Sequence, residues 1–185
     1  MSADAKLDLM TAEELERYDL PRKSTELVRG RLIVREPPGT YHGVVAGKLF
    51  LFLGQHVYGN TLGVVCSQDT GFKIRSDPDT VLAPDVAFVA KARQHLIPAR
   101  GYAELAPDLV AEILSPDDRP GEVLTKVGDW LDAGVRLVWV VDPLRREARV
   151  YRADGSLRTV EGTALLSGDD VLPGFACRLA DFLDP

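Results

Sequence analysis

Two nearly continuous apolar runs, separated by the pattern of one amphipathic helix, constrain the fold of this chain most. The runs are LVAEIL at 109–114 and RLVWVV at 136–141. The segment between them has Pro120 in its first turn, Gly134 near its end and apolar residues at helical spacing. Strands that are apolar on both faces are covered on both sides, so this order predicts parallel neighbours in a buried sheet.

Further elements are predicted on both sides of this unit. Helices are expected at 10–21, where Thr11 and Glu14 form a capping box, and at 40–59. A β-hairpin is expected at 25–38, two strands at 61–74 and 80–90, and more strands at 147–154 and from 156 to 183, with one helical turn at 179–184. A mobile polar connection is expected at 92–106.

These elements predict an α/β fold, a mixed β-sheet flanked by helices and preceded by a β-hairpin. Residues 1–10 are expected to form a disordered tail, and residues 11–185 a single domain. No apolar run approaches the roughly 20 residues that span a bilayer, and the N-terminus lacks a secretory signal pattern. Cys66 and Cys177 belong to no metal-ligand motif, so we expect reduced thiols and a cytoplasmic protein.

The formal net charge of −6 argues against nonspecific nucleic-acid binding through overall charge. It leaves room for local binding through metal ions. The candidate ligands are carboxylates in apolar surroundings: Asp85 in VLAPDVAFV, Glu112 in LVAEIL, and Glu26 at the start of the hairpin. Two carboxylates from adjacent strands could hold Mg²⁺, which prefers oxygen ligands, polarises phosphate and lowers the pKa of water.

Lys126 is the candidate cation for the same place. It lies near the start of the helix that follows the Glu112 strand, beside the apolar stripe of that helix. Its ammonium is therefore expected to reach the carboxyl end of the strand, where open α/β sheets place their sites. There it could neutralise charge that develops on a phosphate.

Each of these candidate site residues could instead have a purely structural role. Glu112 could form a buried ion pair with an arginine. Asp85 could cap a turn, Lys126 could be a solvated residue on the helix flank, and Glu26 could face solvent. A second Pro-Asp pair, Pro107-Asp108, is too close to Glu112 to lie on a neighbouring strand and is assigned to the start of the same strand.

The sequences PDVAFV and PDLVAEILSPDDRPGEVLTKVGDWLDAGVRLVWVVDP resemble the Uma-two family of bacterial restriction endonuclease-like proteins. That family is placed in the PD-(D/E)XK nuclease superfamily. The resemblance covers nearly the whole chain, from TELVRGRLIV onward, and implies a restriction-endonuclease-like fold. It also implies a metal-dependent reaction on DNA with Mg²⁺ or Mn²⁺ as cofactor.

The resemblance assigns a role to each candidate residue. Asp85 and Glu112 would be metal ligands and catalytic residues, and Glu26 would be a further metal ligand. The superfamily pattern expects a lysine two residues after Glu112, where this chain has Leu114. The resemblance instead points to a lysine on the following helix, Lys126. His42 matches a histidine at the start of the preceding helix and is assigned to substrate binding.

Two functions from different classes remain open at this point. The first is an endonuclease that hydrolyses DNA phosphodiester bonds through the two carboxylates and the lysine. The second is a catalytically inactive protein with a nuclease fold that binds DNA or assembles without cutting, since a fold does not determine a function. A homodimer is expected because an exposed sheet edge can be covered by a second copy of the chain.

Overall fold

The computed structural model describes residues 9–184 of the 185-residue chain, so residues 1–8 of the predicted disordered tail lie outside the described residues. No helix within 9–184 is long and apolar enough to span a membrane. The α-helices are α1 (Ala12–Glu16), α2 (Thr40–Gly59), α3 (Pro120–Asp132) and α4 (Leu179–Leu183), and a 3-10 helix spans Lys91–Leu96. The strands are β1 (Ser24–Val28), β2 (Arg31–Arg35), β3 (Gly63–Cys66), β4 (Phe72–Arg75), β5 (Thr80–Leu82), β6 (Val86–Ala90), β7 (Leu109–Ile113), β8 (Leu137–Asp142), β9 (Glu147–Arg152), β10 (Leu157–Glu161), β11 (Leu165–Ser167) and β12 (Ala176–Arg178).

The N-terminal hairpin forms as the sequence predicts, whereas the helix predicted at 10–21 spans only Ala12–Glu16, with the predicted capping box. The amide of Glu14 donates to the Thr11 hydroxyl at 3.2 Å, and the amide of Thr11 donates to the Glu14 carboxylate at 2.8 Å. Strands β1 and β2 pair antiparallel around Arg29 and Gly30, which have φ angles of 49° and 74°. Positive φ at both central residues is what a tight two-residue hairpin turn requires.

The main sheet has six strands in the order β10-β9-β8-β7-β6-β3. Strands β7 and β8 are parallel, with α3 connecting them, and the remaining neighbours are antiparallel. The predicted strand–helix–strand unit and the predicted mixed sheet are therefore confirmed. All residues of β7 except Glu112 are fully buried, in agreement with a strand that is covered on both faces.

The segments 61–74 and 80–90, each predicted to be one strand, contain two strands each. Strands β4 and β5 join the hairpin in a second, four-stranded sheet of order β2-β1-β5-β4, whereas β3 and β6 belong to the main sheet. The second segment breaks at Ala83-Pro84 because proline has no amide hydrogen for a ladder. The amide of Ala83 donates to the Glu26 side chain at 2.9 Å instead. The single-strand predictions were wrong because periodicity does not reveal a change of pairing partner.

The main sheet is covered on both faces. On one face, α2 packs its buried residues Val45, Leu49 and Leu53 against odd-numbered side chains of β7, together with α4, β11 and β12. On the other face, α3 and the four-stranded sheet cover the even-numbered side chains. Because side chains alternate along a strand, Glu112 faces α3.

The segment 92–106 was predicted to be a mobile polar connection, but its end is part of the core. Ala103, Leu105 and Ala106 are buried beneath the four-stranded sheet. Arg93 holds this segment, because its guanidinium donates to the Ala106 carbonyl at 2.8 Å and lies 3.1 Å from the carboxylate of buried Asp108. Asp108 thus acts at the start of β7 as a structural residue.

Two leucines of α2 allow a matched test of this packing. Leu49 is fully buried, whereas Leu51 is 54% exposed. We expect Leu49→Ala to lower the free energy of unfolding by about 2–5 kcal/mol, because it removes buried methyl groups and leaves a cavity. Leu51→Ala should change it by less than about 0.5 kcal/mol. Urea denaturation measures both values, and equal losses would contradict the position of α2.

Candidate active site

Asp85 and Glu112 meet where β6 begins and β7 ends. Val86 pairs with Ala111 in the antiparallel ladder, so the register continued by one residue places Asp85 opposite Glu112. Residues directly opposite one another have Cβ atoms about 5 Å apart. The amide of Ile113 donates to Asp85 Oδ2 at 2.7 Å, which holds the Asp85 carboxylate against β7. The two carboxylates are therefore neighbours at the carboxyl end of a parallel strand.

The Glu112 carboxylate has a hydrogen-bond donor on each oxygen. Trp130 Nε1 donates to Oε1 at 2.8 Å, and Lys126 Nζ donates to Oε2 at 3.0 Å. Burial raises the pKa of Glu112 to about 7, with Asp85 and Glu26 adding to the rise and Lys126 opposing it. The partners of the Glu112 carboxylate are therefore Lys126 and the Trp130 indole. The ion pair between Glu112 and an arginine that was considered above does not form.

Lys126 and Trp130 reach the same carboxylate because they lie one turn apart on α3. Three oxygens surround Lys126 Nζ, namely Glu26 Oε1 at 2.9 Å, Glu112 Oε2 at 3.0 Å and the Ala83 carbonyl at 3.3 Å. Burial by itself lowers the pKa of Lys126, but the charges of Glu112 and Glu26 outweigh this effect and raise it above its usual value. Lys126 is a largely buried, protonated residue and not a solvated flank residue.

Glu26 links the hairpin to this cluster. Besides Lys126, its Oε1 accepts the Ala83 amide at 2.9 Å, and its Oε2 lies 3.5 Å from Arg35 Nε. The side chain is buried, so Glu26 does not face solvent. Within 9–184, no group of three or more histidine, cysteine, aspartate or glutamate side chains is arranged to hold a metal ion. The Glu26 carboxylate points at the lysine.

His42, at the start of α2, contacts the other carboxylate. Its Nε2 lies 3.3 Å from Asp85 Oδ2, and its Nδ1 lies 3.2 Å from Gln68 Nε2, which also donates to Asp85 Oδ1 at 3.3 Å. Burial by itself lowers the pKa of His42, but the hydrogen bond and charge of Asp85 outweigh it and the net shift is upward. Asp85 is therefore held by a backbone amide, an imidazole and an amide side chain.

One cavity of about 640 Å³ joins all five predicted residues, whose side chains come from four separate elements and the Pro84-Asp85 turn. The predicted residues that line it are Glu26, His42, Asp85, Glu112 and Lys126. An open cavity beside paired carboxylates and a lysine can admit a substrate group. The geometry is that of a site where a cation, a phosphate and water could meet.

Three residues of this site were missed as functional residues by the sequence analysis. Trp130 has the spacing of a residue in the apolar stripe of α3, and its distance of four residues from Lys126 was a usable signal. Gln68 lies in the turn after β3, and Arg35 ends β2. Neither has a local pattern that connects it to Asp85 or Glu112, because tertiary folding alone brings them together.

The donor set at Asp85 and Glu112 fits a hard divalent cation. Mg²⁺ is commonly held by one or two carboxylates, with water and phosphate oxygens as its other ligands, and Mn²⁺ accepts the same donors. The neighbouring acids Asp85 and Glu26 raise the pKa of Glu112 even though Lys126 is in contact with it. Burial is the largest cause of the raised pKa, and a bound cation would offset the smaller part that the two acids add.

Comparison with known proteins places the chain in a family. The model of the family described as "Putative restriction endonuclease" (Uma2) matches residues 12–180. The chain belongs to this family. A solved protein from Anabaena variabilis ATCC 29413, described as "a putative nuclease belonging to DUF820", has 19% sequence identity and a TM-score of 0.79 to it over 94% of this chain and 97% of that chain. The family member described here therefore has the fold of that protein, which confirms the predicted restriction-endonuclease-like fold. No curated protein matches the chain.

The raised pKa of Glu112 predicts how stability depends on pH without divalent metal. A carboxyl whose pKa is higher in the folded protein than in the unfolded chain stabilises the fold below about pH 4.5. This contribution is lost as the pH rises to about 7. Relative to Glu112→Gln, the wild-type free energy of unfolding should fall by up to about 3 kcal/mol across this window. Urea denaturation in EDTA at several pH values measures the difference.

Glu122→Gln is the matched control for this experiment, because Glu122 is a half-exposed acid of the same cavity. The pH-dependent difference between the wild type and Glu112→Gln should exceed any difference that Glu122→Gln shows, which reports only the loss of an acid from this cavity. Parallel curves for Glu112→Gln and the wild type would contradict a raised pKa at Glu112.

Proposed function

We propose that this protein is a metal-dependent endonuclease that hydrolyses phosphodiester bonds in DNA. One observation carries the proposal: Asp85 and Glu112 lie opposite each other beside an open cavity, with the Lys126 ammonium 3.0 Å from Glu112. Membership in a family described as restriction endonucleases supports the class of reaction. The fold provides the same arrangement of strands and helix that the sequence resemblance implies.

Asp85 and Glu112 would hold the cation, Mg²⁺ or Mn²⁺. When bound, it would supply positive charge that polarises a phosphate and lowers the pKa of nearby water. The Ile113 amide and the Trp130 indole each occupy one oxygen of these carboxylates at 2.7–2.8 Å. These donors fix the orientation of both side chains, so that little reorganisation is needed when a ligand enters the cavity.

Lys126 would act by charge and not as a base. Because Glu112 and Glu26 raise its pKa, it is an ammonium at neutral pH and has no free lone pair to accept a proton. Its charge beside Glu112 opposes the effect of burial and so favours the ionised carboxylate that a cation would need. It also puts positive charge near the point where negative charge develops on the phosphate.

Glu26 and His42 would support these groups. Glu26 was predicted to be a third metal ligand, and its contacts with Lys126 and the Ala83 amide favour a role in positioning the lysine. His42 was predicted to bind substrate, and its contact with Asp85 Oδ2 favours a role in positioning that carboxylate. Both residues line the cavity, so each remains close to a bound phosphate.

A nuclease-fold protein that binds or assembles without cutting is the second candidate. It is favoured by the engagement of Lys126, whose ammonium already has three oxygen partners. Against it stands the buried Glu112, because a protein that only binds has no need to desolvate a carboxylate among acidic neighbours. Cleavage assays separate the two candidates.

The central test is cleavage of duplex, branched and single-stranded DNA with Mg²⁺ or Mn²⁺. Wild-type protein should cut at least one of these forms, and EDTA should abolish cutting. Glu112→Gln and Asp85→Asn should each lower the rate by at least about 100-fold, because each removes a charged oxygen ligand. Glu161→Gln removes an exposed acid of β10 outside the cavity and should retain cutting within about twofold.

Cutting that persists in Glu112→Gln would contradict the active-site assignment. If no DNA form is cut while the wild type still binds DNA, the second candidate is favoured.

Cation binding gives a test that does not depend on activity. In calorimetric titrations, Mn²⁺ should bind the wild type more tightly as the pH rises toward 7, because Glu112 must lose its proton to become a ligand. Asp85→Asn and Glu112→Gln should weaken binding at least about tenfold. Equal affinity in both variants and the wild type would place the cation elsewhere.

DNA is the proposed substrate, and the predicted homodimer and cytoplasmic location remain predictions. Sedimentation equilibrium at several protein concentrations measures the oligomeric state directly. A monomer at all concentrations would remove the homodimer from the proposal without affecting the active-site assignment.

A further inference from the structure

The cavity around the candidate active site is strongly acidic. Eight carboxylates line it, whereas Arg35 and Lys126 are the lysine or arginine side chains among its lining residues within 9–184. The acids are Glu26, Glu36, Asp69, Asp85, Glu112, Asp117, Asp118 and Glu122. A DNA phosphate carries a full negative charge, so it needs a cationic partner to enter this space.

Lys126 has little capacity left for a phosphate. An ammonium has three N–H groups, and three oxygens already lie within 3.3 Å of Lys126 Nζ. Binding a phosphate oxygen directly would require it to release Glu26, Glu112 or the Ala83 carbonyl. Releasing either acid would leave a buried carboxylate without its cation, which is costly.

Arg35 is in the opposite situation. Its guanidinium lies 3.5 Å from Glu26 Oε2, 4.0 Å from Asp118 Oδ1 and 3.9 Å from Glu122 Oε2. In the part of the chain that the structure describes, none of these contacts is a hydrogen bond, and the side chain is 39% exposed. The three acids therefore hold the guanidinium in the cavity by charge while its N–H groups stay available.

Arg35 also lines a second cavity, which adjoins the first. A second cavity of about 480 Å³, between the hairpin and α3, shares Arg35 with the first, along with Glu26, Glu122 and Lys126. The two cavities adjoin at these side chains. A chain of nucleotides that places one phosphate near Asp85 and Glu112 can extend past the end of β2 into the second cavity.

We propose that Arg35 binds a backbone phosphate of the DNA substrate at the mouth of the active site. This inference rests on the proposed function and adds the residue that attracts the substrate. The planar guanidinium can donate two parallel hydrogen bonds to a phosphate, which a lysine ammonium cannot match in geometry. Arg35 would exchange three weak contacts with carboxylates for one bidentate contact with the phosphate.

DNA affinity measured without cleavage tests this proposal. Fluorescence anisotropy with labelled duplex and single-stranded DNA, and with Ca²⁺ in place of Mg²⁺, gives the dissociation constant and its salt dependence. Arg35→Gln should weaken binding by roughly 5- to 100-fold and reduce the slope of log affinity against log salt by about 1, as expected for one lost phosphate contact. Arg35→Lys should give an intermediate affinity, because it keeps the charge but loses the fork.

Arg136→Gln is the matched control. Arg136 precedes the amino end of β8, whereas the cavity lies at the carboxyl end of its parallel neighbour β7, and Arg136 pairs with Asp170 at 2.6 Å. Arg136→Gln changes the net charge by the same amount as Arg35→Gln, and it should leave DNA affinity within about twofold of the wild type. Urea denaturation of all variants shows whether each is folded under the assay conditions.

Unchanged affinity and salt slope in a folded Arg35→Gln variant would overturn the proposal and leave Arg35 a structural residue. Equal losses in Arg35→Gln and Arg136→Gln would also overturn it, because they would indicate an effect of net charge alone. Failure of the proposed function has a different signature: wild-type protein that binds DNA with Arg35-dependent affinity but does not cut it.

Discussion

The buried charge of Glu112 is the constraint on which the rest of this structure depends. Placing an ionised carboxylate on a covered face of a sheet costs free energy of desolvation, unless an opposite charge and hydrogen bonds compensate that cost. Lys126 supplies the opposite charge, and Lys126 and Trp130 each donate a hydrogen bond to the carboxylate. Helix α3 must therefore pack on β7 with the face that carries these two residues, at the level of Glu112. Lys126 in turn draws in Glu26 of β1, which fixes the hairpin beside the main sheet. One acidic residue therefore sets the relative positions of a strand, a helix and a hairpin from two sheets.

The parts of the fold that the sequence predicted are those with local signals. Pro120 and Gly134 bound α3, Arg29-Gly30 marks the hairpin turn, and the apolar runs of β7 and β8 identify strands covered on both sides. The division of 61–90 into four strands was not predictable in this way. Strand β5 leaves the main sheet because it pairs with distant β1, and β-type residues before and after Ala83-Pro84 look alike in the sequence.

The same distinction explains the site. Glu112 and Asp85 are visible as charges inside apolar runs, and Lys126 follows from helical spacing once Glu112 is noticed. Gln68 and Arg35 are recruited from a turn and a strand end, and nothing within several residues of either indicates a neighbouring carboxylate. The chain has Leu114 where the resemblance expected a lysine, and Lys126 reaches Glu112 from α3 instead, with a side chain that is 17% exposed.

A chain of net charge −6 with an acidic cavity would need localised positive charge to act on a polyanion such as DNA. The long-range electrostatic interaction between such a protein and DNA is weak or repulsive. Binding would therefore rely on positive charges placed within a few ångströms of the phosphates. A cation at Asp85 and Glu112 and the guanidinium of Arg35 would supply two such points from different elements. Lys126 serves a third purpose, because its contacts hold the acids in place and leave it little freedom to bind substrate. Without the cation, the same carboxylates would repel DNA. Substrate binding would therefore depend on prior loading of the metal, and an acidic protein of this design would avoid nonspecific association with nucleic acid.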